Sequence, residues 1–229
     1  MPATQLASII LPVHNQADHI GRIVAEYESA LQRLPAAHEL ILVVNGCRDD
    51  SLSVGISLSQ EQPAVRVVSS AAGGWGLAVK LGLREACGEL LCYTNSARTS
   101  AQDLTLCLLY GMLHGDVVIK ANRKIRDSWA RRAGSLLYNL ECRALFDLNT
   151  WDINGTPKVF PRRFGRLLQL TRDDDLIDTE FIAVCRREGY PILEVPTFSS
   201  RRHGGRSTTG LGSAAMLYAG AYRLWRKAV

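Results

Sequence analysis

The chain has 229 residues, 47 % hydrophobic and 21 % charged, which fits one soluble globular domain with a sizeable core and excludes a disordered or fibrous chain. Its formal charge of +5 is unevenly shared: residues 1–115 carry −3 and residues 116–229 carry +8. An anionic partner is therefore expected on the second half, and nucleic acid, an anionic lipid surface and phosphorylated small molecules all satisfy that charge.

No run reaches the about 18 apolar residues needed to span a bilayer, and the opening MPATQLASIILPVHNQ lacks the basic start and long apolar stretch of a signal peptide. The expected location is cytoplasmic. Six scattered cysteines, none at C-x-x-C spacing, read as small buried hydrophobes rather than a zinc or disulfide framework.

In chain order, Ala7–Leu11, Leu40–Val44, Val65–Val68, Glu89–Tyr93 and Asp116–Ile119 are short apolar runs, mostly β-branched, as expected of strands buried on both faces. Segments of helical period lie between them. Ile20, Ile23, Val24, Tyr27 and Leu31 form one stripe, Leu77, Leu81 and Leu83 to Ala86 suggest another, and Asp49, Asp50 and Ser51 offer an N-cap after the second strand. A βαβα series predicts an α/β fold, a mostly parallel twisted sheet flanked by helices, with ligands beyond the carboxyl ends of the strands.

Past residue 121 come a basic stretch (Asn122–Arg132), a helix-period segment (Trp129–Leu145), a turn (Asp152–Pro157), a helix near Asp178–Glu188 and a short strand, Ile192–Val195. SSRRHGGRSTTG is a glycine-rich basic loop, and Leu211–Lys227 is an amphipathic helix. We read a single domain, 1–229, with a first half of 1–121, a second of 122–210 and a C-terminal helix of 211–229.

Two loops stand on the ligand edge: Pro12-Val13-His14-Asn15-Gln16 after the first strand and Asn45-Gly46-Cys47-Arg48 after the second. Taken singly, each is a turn or a helix cap. Gly74-x-Gly76 opens a helix after the third strand, where Val79 replaces the last glycine of a dinucleotide fingerprint. It still suits the approach of a ligand phosphate.

Together, ASIILPVHNQADHI, LILVVNGCRDDS, GGWGLAVKLGLREACGELLCYTNSARTSAQDL, GDVVI and EFIAVCRREGYPILEVP resemble glycosyltransferase family 2, whose GT-A fold binds nucleotide sugars. NRKIRDSWARRAGSLLYNL, WDINGTPKVFPR and RRHGGRST are most similar to the polyprenyl-phosphate (dolichyl-phosphate) sugar transferases within it. The resemblance implies an inverting transfer from a nucleoside diphosphate sugar, bound by Pro12, His14, Asn15, Gln16, Asn45, Gly76, Lys80, Asn95, Ser96 and Ala97. The acceptor would be anionic, a polyprenyl phosphate at the inner face of a membrane, met by Arg123, Arg131, Arg132, Lys158, Glu180, Arg202, Arg206 and Ser207.

The sequence also departs from that pattern. The family's acidic residue ending the second strand matches Val44, and its Asp-x-Asp, which holds a divalent cation on the diphosphate, matches Asn95-Ser96-Ala97. An amide and an alanine are poor ligands for Mg²⁺ or Mn²⁺, so either cation would bind there only weakly and no residue is assigned as a metal ligand. Arg98, with Lys120 and Arg123 as alternatives, would then oppose the charge of the leaving diphosphate. Asp178 matches the acid near sugar and acceptor. It would serve as a base for a hydroxyl acceptor, while a phosphate acceptor, already anionic near neutral pH, needs none. Trp129, Leu136, Leu137 and the tail helix with Tyr218, Tyr222 and Trp225 could rest on a membrane surface. Two rival readings remain: a catalytically weak nucleotide-sugar-binding module, and a nucleic-acid binder, although no groove-reading helix or RNA motif is evident.

Overall fold

A computed structural model describes residues 6–124, 129–198 and 211–228; side chains 129–132, 211–216 and 227–228 lie outside that description. Seven strands form one sheet: β1 (Leu6–Val13), β2 (Ala37–Asn45), β3 (Val65–Ser70), β4 (Leu90–Tyr93), β5 (Val118–Arg123), β6 (Lys158–Pro161) and β7 (Ile192–Thr197). Among the described residues, seven α-helices accompany them: α1 (Ile20–Leu31), α2 (Ser51–Glu61), α3 (Trp75–Glu85), α4 (Ala101–Leu113), α5 (Trp129–Phe146), α6 (Ile177–Glu188) and α7 (Leu211–Ala228). This is the expected α/β architecture.

The strand order is β3-β2-β1-β4-β6-β5-β7. All pairs are parallel except those made by β6, which runs antiparallel between β4 and β5. Strands β1 and β2 are buried along nearly their whole length, on both faces, which is why they read as continuous apolar runs. Alternate residues go to opposite layers. Ile10, Ile41 and Val43 pack with α3, α6 and Phe160, whereas Ile9, Leu11, Leu40 and Leu42 pack with α1 and α4.

The structure differs from the expectations in four elements. Strand β5 begins two residues later than Asp116 and runs to Arg123, so Lys120 lies inside a strand. Helix α4, capped by Ser100 Oγ accepting from Asp103 N at 3.0 Å, and strand β6 were not anticipated. Near α2, Asp50 makes no side-chain cap; Asp49 instead accepts from Ser51 N at 3.1 Å and from Ala17 N at 3.0 Å, joining the first two loops. All six cysteines are free.

Candidate functional site

The carboxyl ends of β1 to β4 form one rim, and its loops are tied together by side chains. Asn45 is the central clasp: its Oδ1 accepts from Gly74 N at 2.9 Å, and its Nδ2 donates to Val13 O at 3.1 Å and Val43 O at 3.2 Å. The residue is buried. Its amide is turned into the chain, with both N–H groups and Oδ1 bonded to backbone, rather than out toward a donor on the rim. The next residue, Gly46, has φ +56°, and a Cβ there would lie 2.7 Å from Gly73 Cα. The second and third loops therefore touch backbone to backbone, a contact only glycine permits.

His14 and Asn15 are exposed on this rim. His14 Nδ1 lies 2.8 Å from Asn45 O and Nε2 lies 3.1 Å from Asn15 Nδ2. One neutral tautomer satisfies both: Nδ1–H donates to the carbonyl and Nε2 accepts from the amide. Asn15 Oδ1 accepts from Arg48 N at 2.8 Å, with Asn15 at φ +51°. Ser96 Oγ donates to Gln16 Oε1 at 2.8 Å, joining the β1 and β4 loops. Pro12 lies within β1 and is buried, so it shapes the strand instead of facing a ligand.

Asn95 Oδ1 accepts from Ala97 N at 3.1 Å, and Asn95 O accepts from Arg98 N and Thr99 N, each at 3.0 Å. The Asp-x-Asp position is thus a self-bonded turn. Its three side chains are an amide turned on its own backbone, a hydroxyl held by Gln16 and a methyl. Among the described residues, no three His, Cys, Asp or Glu side chains cluster as metal ligands. This donor set does not fit a hard divalent cation. Arg98 is half-buried directly beside the turn.

The N-terminus of α3 does not open to a phosphate as expected. Leu77 N donates to Asp173 O at 3.0 Å, and a Cβ on Gly76 would lie 2.8 Å from Asp174 O, so Gly76 admits the 172–174 backbone. Lys80 Nζ donates to Thr171 O at 2.8 Å and pairs with Asp173 Oδ1 at 2.7 Å, which corrects its expected role on the donor. From the other side, the Glu180 carboxylate accepts from Thr171 N at 3.0 Å and Arg172 N at 2.9 Å. Glu180 therefore fixes this loop, a different task from holding an acceptor.

Behind the rim lies a buried charge cluster that runs across four strands. Tyr93, Lys158, Lys120 and Glu194 are register partners on β4, β6, β5 and β7. Paired residues share a face of the sheet, so these four stand side by side. Asp178, at the start of α6, descends onto them: Tyr93 Oη donates to Oδ1 at 2.9 Å, Trp75 Nε1 donates to Oδ2 at 3.1 Å, and Lys158 Nζ pairs with Oδ1. Burial drives the Lys158 ammonium to a lower pKa against the pull of Asp178, and burial beside that carboxylate pushes the Tyr93 phenol well up. Lys158 is fully buried, so it cannot meet a phosphate at the surface as expected.

Lys120 Nζ is enclosed by Trp151 O, Asp152 O and Glu194 Oε1, and burial lowers its pKa to about 8. Burial raises the Glu194 carboxyl, but Lys120 and the donors Thr150, Trp151 N and Asn122 Nδ2 outweigh it and hold it below the ordinary value. Arg123 is engaged by Asp152, with Nε to Oδ2 at 2.8 Å and Nη2 to Oδ1 at 2.7 Å. Both cations are therefore paired internally rather than set toward a diphosphate or an acceptor. Arg131 and Arg132 lie on α5 with undescribed side chains, and Arg202, Arg206 and Ser207 lie outside the described residues.

Sequence reasoning missed Trp75, Tyr93, Asp152 and Glu194. Trp75 and Tyr93 stand 103 and 85 residues from Asp178, and no spacing links them. Asp152 carried a faint signal in the turn-like Asp152–Pro157 segment, where it adopts φ +48°.

The model of glycosyl transferase family 2 matches residues 8–188. The undecaprenyl-phosphate 4-deoxy-4-formamido-L-arabinose transferase of Sodalis glossinidius is 25 % identical over 217 residues, covering 89 % of this chain and 63 % of its own length. The protein of the same name from Pseudomonas fluorescens is 25 % identical over 139 residues, covering 59 % of this chain and 41 % of its own. The chain thus spans less than two thirds of the length of these relatives. Glucosyl-3-phosphoglycerate synthase of Mycobacterium tuberculosis, solved with Mn²⁺, UDP and phosphoglyceric acid, shares the fold with a TM-score of 0.73 at 19 % identity, covering 96 % of this chain and 78 % of that one.

Proposed function

Because the chain belongs to glycosyl transferase family 2, we propose that it moves a sugar from a nucleoside diphosphate sugar to a polyprenyl phosphate, inverting the anomeric carbon. A phosphate oxygen of the acceptor attacks that carbon as its bond to the diphosphate breaks, and the leaving nucleoside diphosphate keeps the electron pair. No proton moves. The observation that carries this reading is Asp178, whose two oxygens already face Tyr93, Trp75 and Lys158. A carboxylate so occupied is poorly placed to accept a proton from a hydroxyl. A phosphate monoester, largely dianionic at neutral pH, requires no such acceptance.

In this reading His14 and Asn15 hold the donor on the rim, Arg98 opposes the developing charge of the diphosphate, and Asp178, anchored from below by the buried Tyr93 and Lys158, orients half-buried Trp75. The relatives named for undecaprenyl phosphate support the acceptor class. The test is transfer of radiolabelled sugar to a short-chain polyprenyl phosphate, with and without EDTA, alongside calorimetric titration with UDP, GDP and their sugar conjugates. Product that persists in EDTA and falls at least tenfold in Arg98→Ala supports the reading. Product formed on hydroxyl acceptors alone overturns it.

The second reading is a nucleotide-sugar-binding module with little turnover. It is favoured by the Asn95-Ser96-Ala97 turn bonded to itself and by the loop at 171–174 that covers the start of α3. Nucleotide binding without transfer to any phosphate acceptor would select it.

A further inference from the structure

Helix α5 packs inward through Tyr138 and Cys142, with Tyr138 Oη 2.6 Å from Thr179 Oγ1 of α6. Its opposite side should then be polar, as on α1, where Arg22, Glu26 and Ser29 face solvent. It is not. Leu136, Leu137 and Leu140 are 51 %, 59 % and 48 % exposed. At helical spacing they fall with Ala133, Arg143 and Ala144 in an arc about 120° wide, in which Arg143 is the one charge.

One border of this face is basic and aromatic, while Glu141 flanks Leu137 on the other. The Arg143 guanidinium lies 4.3 Å from the ring centre of half-exposed Trp151, a pairing of cation and amphipathic ring suited to a headgroup layer. The half of the chain that carries this helix, residues 116–229, bears a net charge of +8. Among the described residues, no helix is long and apolar enough to cross a membrane, so this face would lie on a bilayer.

We infer that the outward face of α5 is a docking surface for an anionic lipid bilayer, with the three leucines in the acyl boundary and Arg143 and Trp151 at the headgroups. Apolar area and basic charge together are what bind such helices to anionic interfaces. A second apolar stripe on α4, Leu106, Tyr110 and Leu113, has Asp103 on its own helix and the Asp116–Arg163 pair just beyond it, so no net positive charge borders it. It provides the internal control.

The full chain is sedimented with vesicles of phosphatidylcholine alone or with about one third phosphatidylglycerol, at physiological salt. Binding at least tenfold stronger to the anionic vesicles is expected, and it should fall at least tenfold in Leu136→Gln/Leu137→Gln/Leu140→Gln and less than twofold in Leu106→Gln/Leu113→Gln. Should the triple variant fail to fold by circular dichroism, Leu137→Trp replaces it, and its emission is expected to shift blue on anionic vesicles. Absence of vesicle binding, equal binding to neutral vesicles, or binding unchanged by the α5 variants overturns the inference. So does a concentration-dependent dimer that the triple variant abolishes, since the face would then meet a second copy. The vesicles contain no polyprenyl phosphate, so failure here is separate from failure of the transfer assay.

Discussion

The Lys158 ammonium of β6 meets Oδ1 of Asp178 on α6, and neither side chain is more than 6 % exposed. Tyr93 and Trp75 complete the shell of that carboxylate, so one acid ties β4, β6 and the start of α3 to α6. The pair sits where the first four strands give way to the antiparallel β6, the join between the acidic and basic halves of the chain. A buried ion pair is weak evidence of added stability but strong evidence that removing one partner will be costly.

Lys158→Met should therefore destabilise the protein by about 3–5 kcal/mol, since it leaves a buried carboxylate without its cation. Asp178→Asn should cost a comparable amount by stranding the ammonium. The double variant is expected to lose less than the two single costs combined, by about 1–3 kcal/mol, because each change relieves the burden left by the other. Urea midpoints of the three variants measure this, and additive losses would mean that the pair is not coupled.

Asn45 gives a sharper geometric test. Asn45→Asp is nearly isosteric, yet it places an oxygen against Val13 O and Val43 O, where an amide now donates. A loss of at least about 2 kcal/mol is expected, exceeding that of Asn45→Ala, which removes the clasp without adding repulsion. Hydrogen exchange at Gly74 N, whose acceptor is Asn45 Oδ1, should accelerate in Asn45→Ala. Protection unchanged at that amide would show that the clasp holds nothing.

Much of this fold was legible because β1 and β2 are buried on both faces and α1 carries a complete apolar stripe. Strand β6 was not: it has four residues, follows Pro157 and begins with a lysine, so neither alternation nor a hydrophobic run marks it. Helix α4 could have been read from Leu104, Cys107, Leu108 and Gly111, which are buried at helical spacing. In the candidate site, the loops were legible as turns at strand ends, but the partners of their side chains were not. Asn45, Lys80, Lys158 and Glu180 are residue types that commonly meet ligands, and here the first three are engaged by segments distant in sequence and Glu180 by the loop that precedes its own helix. Only the folded chain shows whether an amide faces solvent or a carbonyl.

The altered triplet predicts a gain of function. Asn95→Asp/Ala97→Asp puts two carboxylates where the self-bonded turn now stands, and hard cations prefer anionic oxygens. Calorimetry with UDP should show binding at least tenfold tighter with Mn²⁺ in the double variant and a change under twofold in the unaltered protein. Circular dichroism checks that the buried position 97 tolerates the acid. Mn²⁺ dependence already present in the unaltered protein would locate a cation elsewhere.

Lys120 predicts a rise in stability with pH. Its ammonium is buried beside Lys158, and burial lowers its pKa from 10.5 to about 8, the Glu194 and Asp152 charges only partly opposing the shift. Between about pH 8 and 10.5 the unfolded chain holds the proton that the folded chain has released, so raising the pH favours the folded state. The gain is on the order of 3 kcal/mol across that window and vanishes below it, where both states are protonated. Other groups titrate in the same range, so the quantity to measure is the difference in urea stability between the protein and Lys120→Met at each pH. That difference should move in favour of the lysine protein from pH 8 to 10. A flat difference would mean that Lys120 keeps its proton through the window, with Glu194 compensating burial in full.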